Sequence, residues 1–125
     1  MKREPRAARQ GAARTLLVLI ALVGAFAATP GAQAASTKSC SPIRNPYPGT
    51  RYAGEDLTRI RATGVSCATA RRVVRGAHRK ALGITPSLSG IRHLTWDGWS
   101  VTGDLRGDHD TYVAKRGSER VRWVF

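Results

Sequence analysis

Cys67 stands near the start of an arginine-rich stretch, GVSCATARRVVRGAH, which occupies residues 64–78. A cysteine at the first turn of a helix is a possible nucleophile, because the helix dipole stabilises its thiolate. His78, His93 or His109 would then act as the general base of a cysteine-dependent cell-wall peptidase. No Asn or Asp is recognisably placed to orient a histidine. We therefore do not expect an enzyme, and we expect neither a cofactor nor a metal.

The alternative chemistry for Cys67 is a disulfide with Cys40, the other cysteine of the chain. An even number of cysteines in a secreted protein indicates pairing, because the extracellular compartment is oxidising. Closing a loop of this length (67 minus 40) with a disulfide lowers the entropy of the unfolded chain, which stabilises the domain by roughly 3.5 kcal/mol. We therefore predict a Cys40–Cys67 disulfide and keep the nucleophile as the less favoured alternative.

Secretion is predicted from the first 34 residues. Five basic residues precede an apolar run from Leu16 to Ala28, and Ala32-Gln33-Ala34 offers small side chains at the positions that a signal peptidase requires. These are the three parts of a secretory signal, and the run is shorter than the roughly 20 apolar residues of a membrane span. We predict a signal peptide at residues 1–34 with cleavage after Ala34, which leaves one small domain.

The mature chain is strongly basic. Sixteen of the 21 Lys and Arg residues and seven of the 8 Asp and Glu residues lie beyond Ala34, so its net charge is +9. Such a charge favours anionic partners, such as a wall polymer, an acidic membrane surface or extracellular nucleic acid. A composition rich in Arg, Ala and Gly also arises in GC-rich genomes without selection for binding, so the charge by itself leaves its function open.

A helix is predicted to position the arginines that follow Cys67. Ser66 is a good N-cap and Gly83 fits a C-cap. Small and apolar residues recur at three- and four-residue steps on one face. The opposite face carries the candidate anion-binding residues, which are Arg72, Arg75 and Arg79.

The rest of the mature chain predicts an antiparallel sheet. Residues 57–64 alternate between Thr58, Ile60 and Ala62 on one side and two arginines on the other. This alternation is typical of a strand with one solvent-exposed face. Two-residue turns at 97–98 and 117–118 predict two hairpins. The first sets Leu94 against Val101. The second sets Tyr112 against Trp123 on one face, and Lys115 against Arg120 on the other. The face of the sheet that packs against Val74 is expected to bury Leu94, Val101, Tyr112, Ala114, Val121 and Trp123.

The predicted fold class is α+β, with one helix packed on a small antiparallel sheet of about 4–5 strands. Residues 35–53 are rich in Pro, Gly and Ser, which predicts an extended arm tied down by the disulfide. Residues 54–125 form the single α+β domain. Trp99 and Trp123 are expected in the core, and Trp96 is expected to be the most exposed tryptophan.

The runs IRATGVSCATARRVV, WDGW and RGSERVRWVF together resemble a group of small secreted actinobacterial proteins of unknown function. The resemblance covers about residues 40–125, and its most specific part is the Gly-Val-Ser-Cys-Ala-x-Ala-Arg run. Members of the group usually carry four cysteines. The resemblance implies that Cys40 pairs with Cys67 and that Val101 and Ala114 replace the second pair. It implies no activity, because none is established for the group.

Besides the less favoured peptidase, two functions are consistent with these residues. The first is a secreted, monomeric, non-enzymatic domain that binds an anionic extracellular or cell-envelope partner. The second, by analogy with other small disulfide-tied domains, is a protein-binding module such as an inhibitor of a secreted hydrolase. No specific nucleic-acid motif is recognisable, and Asp108-His109-Asp110 is expected to be a solvated turn rather than a metal site.

Overall fold

A computed structural model of the protein describes residues 35–125, so the predicted signal peptide and its cleavage site lie outside the described residues. Seven elements follow one another along this part of the chain. They are β1 (Thr37–Ser39), β2 (Thr58–Thr63), α1 (Cys67–Leu82), β3 (Ile91–Trp96), β4 (Trp99–Asp104), β5 (Thr111–Arg116) and β6 (Glu119–Val124). Among these elements there is no helix with the length and hydropathy of a membrane span.

The helix lies on one face of a six-stranded antiparallel sheet with the strand order β1-β2-β6-β5-β4-β3. The predicted α+β class is therefore confirmed. The strand number exceeds the predicted 4–5, because the segment predicted as an arm contributes β1. This strand is short and wholly polar, so no alternation marks it in the sequence. Its pairing with β2 is continued by a hydrogen bond that the Cys40 amide donates to the Ile60 carbonyl at 2.8 Å.

Helix α1 begins and ends where the sequence predicts. The Ser66 hydroxyl accepts a hydrogen bond from the Thr69 amide at 3.1 Å, which satisfies one free donor of the first turn. At the other end, the Gly83 amide donates to the Lys80 carbonyl at 3.1 Å. The stripe that faces the sheet is fully buried and consists of Ala70, Val73, Val74, Ala77, His78 and Ala81.

Both predicted hairpin registers are confirmed. Leu94 lies opposite Val101, and Tyr112 lies opposite Trp123 with the two rings stacked 5.2 Å apart. These side chains lie on the inner face, which packs against α1, and all six predicted sheet core residues are buried there. Trp99 and Trp123 are buried, whereas Trp96 is partly exposed and packs across Gly76 of the helix. A side chain at Gly76 would collide with that indole.

Strand β2 departs from the predicted alternation at one residue. Its pairing with β6 shifts between Thr58 and Arg61, which makes a β-bulge at Arg59. Arg59 has φ of 50°, a left-handed conformation that L residues other than Asn and Asp seldom adopt. The extra residue places Thr58 opposite Val124, on the outer face rather than beside Ile60. The prediction for Thr58 was therefore wrong.

Val101 and Ala114 lie directly opposite each other in β4 and β5, and both are buried. Directly opposed residues of an antiparallel pair have Cα atoms about 4.5–5.5 Å apart, which is within the range of a disulfide. We expect Val101→Cys/Ala114→Cys to form a second disulfide and to raise the free energy of unfolding by about 3 kcal/mol. The intact mass with and without reductant shows whether the disulfide forms. Thermal unfolding of the double variant beside the two single variants then measures the gain in stability. Two free thiols in the double variant would contradict it.

Candidate anion-binding surfaces

The two cysteines form a disulfide, with Cα atoms 5.4 Å apart. This confirms the predicted pairing of Cys40 with Cys67. A disulfide-bonded sulfur carries no thiolate, so the peptidase alternative loses its nucleophile. The bond joins the end of β1 to the first residue of α1, and it holds the N-terminal segment against both the sheet and the helix.

The three histidines considered as bases lie in different surroundings. His78 is fully buried on the inner stripe of α1, whereas His93 in β3 and His109 in the β4–β5 loop are exposed. The Tyr47 hydroxyl is hydrogen-bonded to His78 Nδ1 at 2.6 Å, and Phe125 packs on the imidazole ring. His78 Nε2 is buried and has no hydrogen-bond partner in the described part of the chain. His78 therefore belongs to the core.

Burial controls the titration of this pair. It lowers the pKa of His78 to about 4, and the positive charge of Arg92 acts in the same direction. Burial also raises the pKa of Tyr47 to about 12, against a smaller opposite effect of Arg79. Both groups are therefore neutral at physiological pH. Across residues 35–125, no three His, Cys, Asp or Glu side chains converge as metal ligands.

The three candidate arginines of the helix do not share one environment. Arg72 pairs with Asp97 at 2.7 Å, and its guanidinium lies 5.4 Å from the centre of the Trp96 ring. Arg75 and Arg79 instead line a cleft with Arg44 from the segment between β1 and β2. We call Arg44, Arg75 and Arg79 the helix patch. The role of Arg72, Arg75 and Arg79 in anion binding stays a prediction.

A second cationic surface lies on the outer face of the sheet, which α1 does not cover. Because β6 lies beside β2 and β5, the outward basic residues of three strands come together. All of these side chains are exposed. We call this group the sheet patch, and its members are Arg59, Arg61, Lys115, Arg120 and Arg122.

The sheet patch is not neutralised by carboxylates. Four ion pairs occur within residues 35–125, and none of them includes a member of this patch. Arg61 lies directly opposite Arg122, and Lys115 lies directly opposite Arg120. Like charges in such cross-strand pairs destabilise a sheet. The surface therefore carries an electrostatic cost that a bound anion would remove.

Two grooves cross the sheet patch. One, of about 220 Å³, is bordered by Arg59, Arg61 and Arg122. The other, of about 610 Å³, is bordered by Arg61, Arg120 and Arg122. The outer-face positions of the described strands carry no Trp, Tyr or Phe, because the aromatic residues of β4, β5 and β6 all point inward. The patch therefore offers charge and guanidinium donors but no platform on which nucleic-acid bases could stack.

Sequence reasoning identified most of these residues but not the surface. Alternation in residues 57–64 and the second hairpin register both pointed the basic side chains away from the core. What was missing was the contact between β2 and β6, which begin 61 residues apart in the chain (119 minus 58). No turn motif or local pattern signals such a long-range pairing.

Comparison of the chain with protein-family models, with curated proteins and with solved structures finds no match. The resemblance to small secreted actinobacterial proteins therefore stays a prediction.

Proposed function

We propose that the protein is a secreted, non-enzymatic domain that binds an anionic polymer of the extracellular space or cell envelope through the sheet patch. The observation that carries the proposal is the set of five exposed cations without a carboxylate partner in the described residues. They come from three strands of one open face, so a polymer could contact all of them at once.

The residue types suit an oxyanion. Four of the five members are arginines, whose planar guanidinium binds phosphate, sulfate or carboxylate through two parallel hydrogen bonds. Arg120 and Arg122 are two positions apart on one strand, so their Cα atoms lie roughly 7 Å apart. An extended polymer whose anionic groups lie at a similar spacing could contact both arginines at once. The patch therefore suits successive anionic groups of one chain.

Secretion, the other part of the proposal, is supported by the disulfide. Disulfides persist in oxidising compartments and are rare in the cytosol. Cys40–Cys67 therefore agrees with the predicted signal peptide at residues 1–34.

The direct test is Arg61→Gln/Arg122→Gln, which removes one directly opposed cationic pair from the patch. If each contact is worth about 1 kcal/mol, the affinity for a short DNA duplex used as a phosphate probe should fall about thirtyfold. The dependence of log K on log salt should become shallower by about 2. Fluorescence anisotropy at several salt concentrations measures both. The free energy of unfolding of this variant should rise slightly, because a repulsive pair is removed.

The matched control is Lys38→Gln/Arg51→Gln, which has the same net charge as the test variant. Lys38 and Arg51 are exposed and lie outside both patches. The control should retain most of the affinity. Equal losses in the two variants would mean that net charge alone drives binding, and the proposed surface would be wrong. Competition by heparin, polyphosphate and polyglutamate then ranks sulfate, phosphate and carboxylate polymers.

A further inference from the structure

We propose that the domain bridges two anionic chains, one bound on the sheet patch and the other on the helix patch. This inference rests on the proposed function of the sheet patch and adds a second, independent site. It makes the protein a cross-linker of its polymer rather than a ligand that only coats it.

The two patches face in opposite directions. At 100° per residue, Arg75 and Arg79 lie within about 40° of each other on α1. The buried stripe centred on Ala70, Ala77 and Ala81 lies on the other side of the helix axis. Because that stripe packs on the inner face of the sheet, the two arginines point away from the sheet. The sheet patch points the other way, from the outer face.

The helix patch has the form of a small anion site. Its cleft, of about 150 Å³, is lined on one side by Ile43, Pro46 and Tyr47, and the three arginines border it. This volume is a few times the roughly 30 Å³ of a water molecule, which is enough for one phosphate or sulfate group. The cleft therefore fits a single anionic group of a chain, whereas the open sheet face fits several.

The charges of the helix patch are only partly balanced. Arg44 donates to Asp56 at 2.7 Å, but neither Arg75 nor Arg79 forms an ion pair within the described residues. Arg75 and Arg79 are an i,i+4 like-charge pair, which costs a helix a few tenths of a kcal/mol. An oxyanion between them would remove this repulsion, as it would on the sheet patch.

The cleft is held open by covalent and backbone bonds rather than by the arginines themselves. Its outer wall, residues 43–47, is anchored on one side by the Cys40–Cys67 disulfide. On the other side, Ile43 and Leu57 exchange two backbone hydrogen bonds of 2.9 Å. The site therefore exists before any ligand binds, which lowers the cost of ordering it.

A sandwich capture assay tests bridging. A short biotinylated DNA duplex is immobilised, saturated with protein and washed, and a fluorescent duplex of the same length is then added. A short duplex occupies one face only, so capture of the second duplex requires two sites on one protein. Wild type should capture the second duplex. Arg75→Gln/Arg79→Gln, loaded on the first duplex to the same level as wild type, should lose about tenfold or more of the capture.

The controls separate this inference from the proposed function. Lys38→Gln/Arg51→Gln has the same net charge as Arg75→Gln/Arg79→Gln and should still capture. Capture by Arg75→Gln/Arg79→Gln at the wild-type level, or an equal loss in the control, would overturn bridging. So would capture that tracks a protein dimer in sedimentation analysis. In each of these cases, weaker first-duplex binding by Arg61→Gln/Arg122→Gln would still support the sheet patch. If Arg61→Gln/Arg122→Gln bound the first duplex as tightly as wild type, the proposed function itself would be refuted.

Discussion

Replacing both cysteines, in Cys40→Ala/Cys67→Ala, is expected to lower the free energy of unfolding by about 3.5 kcal/mol. The disulfide closes a sequence separation of 27 residues, and without it the unfolded chain regains the entropy of that loop. Domains of this size have a net stability of only about 5–15 kcal/mol, so the loss is a large fraction of the total. Chemical denaturation of the wild-type and variant proteins at equal pH measures the difference.

Reduced wild-type protein is the control, and it should unfold at nearly the same denaturant concentration as the variant. Below the unfolding transition, the variant should still bind the DNA duplex, because Arg61 and Arg122 are held by β2 and β6 and not by the disulfide. An unchanged unfolding midpoint would contradict the stabilising role. Loss of duplex binding by a fully folded variant would instead point to the segment that the disulfide anchors.

Acidification from pH 6.5 to pH 4 is expected to destabilise the domain by about 3 kcal/mol through His78 alone. Burial lowers the pKa of His78 from 6.5 to about 4 in the folded protein. Between these values the unfolded chain binds a proton that the folded chain does not bind, so stability falls as the pH falls. Above pH 6.5 His78 is neutral in both states, and the stability that it contributes is fully present. Below pH 4 it is protonated in both states, and that stability has been lost.

The other polar groups near His78 do not cause this loss of stability. The Tyr47 and Tyr112 hydroxyls are neutral in this range, because burial raises the pKa of each. Arg92 donates a hydrogen bond to the Tyr112 hydroxyl at 2.6 Å. Asp104 acts at lower pH, since hydrogen bonds from Arg106 lower the pKa of that carboxyl to about 2. Burial raises the pKa of Asp110, so this carboxyl acts in the same interval with the opposite sign, and the variants below are needed to isolate the share of His78.

The test variant is Tyr47→Phe/His78→Phe, which removes both hydrogen-bonding partners and keeps two aromatic rings in the core. Removing both partners is nearly neutral at pH 7, because no polar atom of the pair remains unsatisfied. The unfolding free energy of this variant should change little between pH 6.5 and 4. His93→Gln/His109→Gln, which replaces the two exposed histidines, should keep the wild-type sensitivity. An acid loss of equal size in the two double variants would assign the effect to other groups.

Local patterns predicted the elements of this fold well. Ser66 and Gly83 mark the ends of α1, since capping depends only on residues within one turn. The turns at 97–98 and 117–118 defined both hairpin registers for the same reason. Strand β1 was missed because a short polar edge strand has no pattern of its own. The bulge at Arg59 was missed because an arginine with positive φ is held there by its neighbours and not by its own preference.

The charge, the disulfide pair, the helix with its arginine face and the two hairpins could be predicted from the sequence, because each depends on composition or on nearby residues. The packing of the whole domain, in contrast, decided that β6 lies beside β2, and with it that Arg59 and Arg61 join Arg120 and Arg122. It also decided that Arg72 is paired with Asp97 while Arg75 and Arg79 share a cleft with Arg44. These contacts join distant segments through the burial of one common core, and no local pattern encodes which segments will meet.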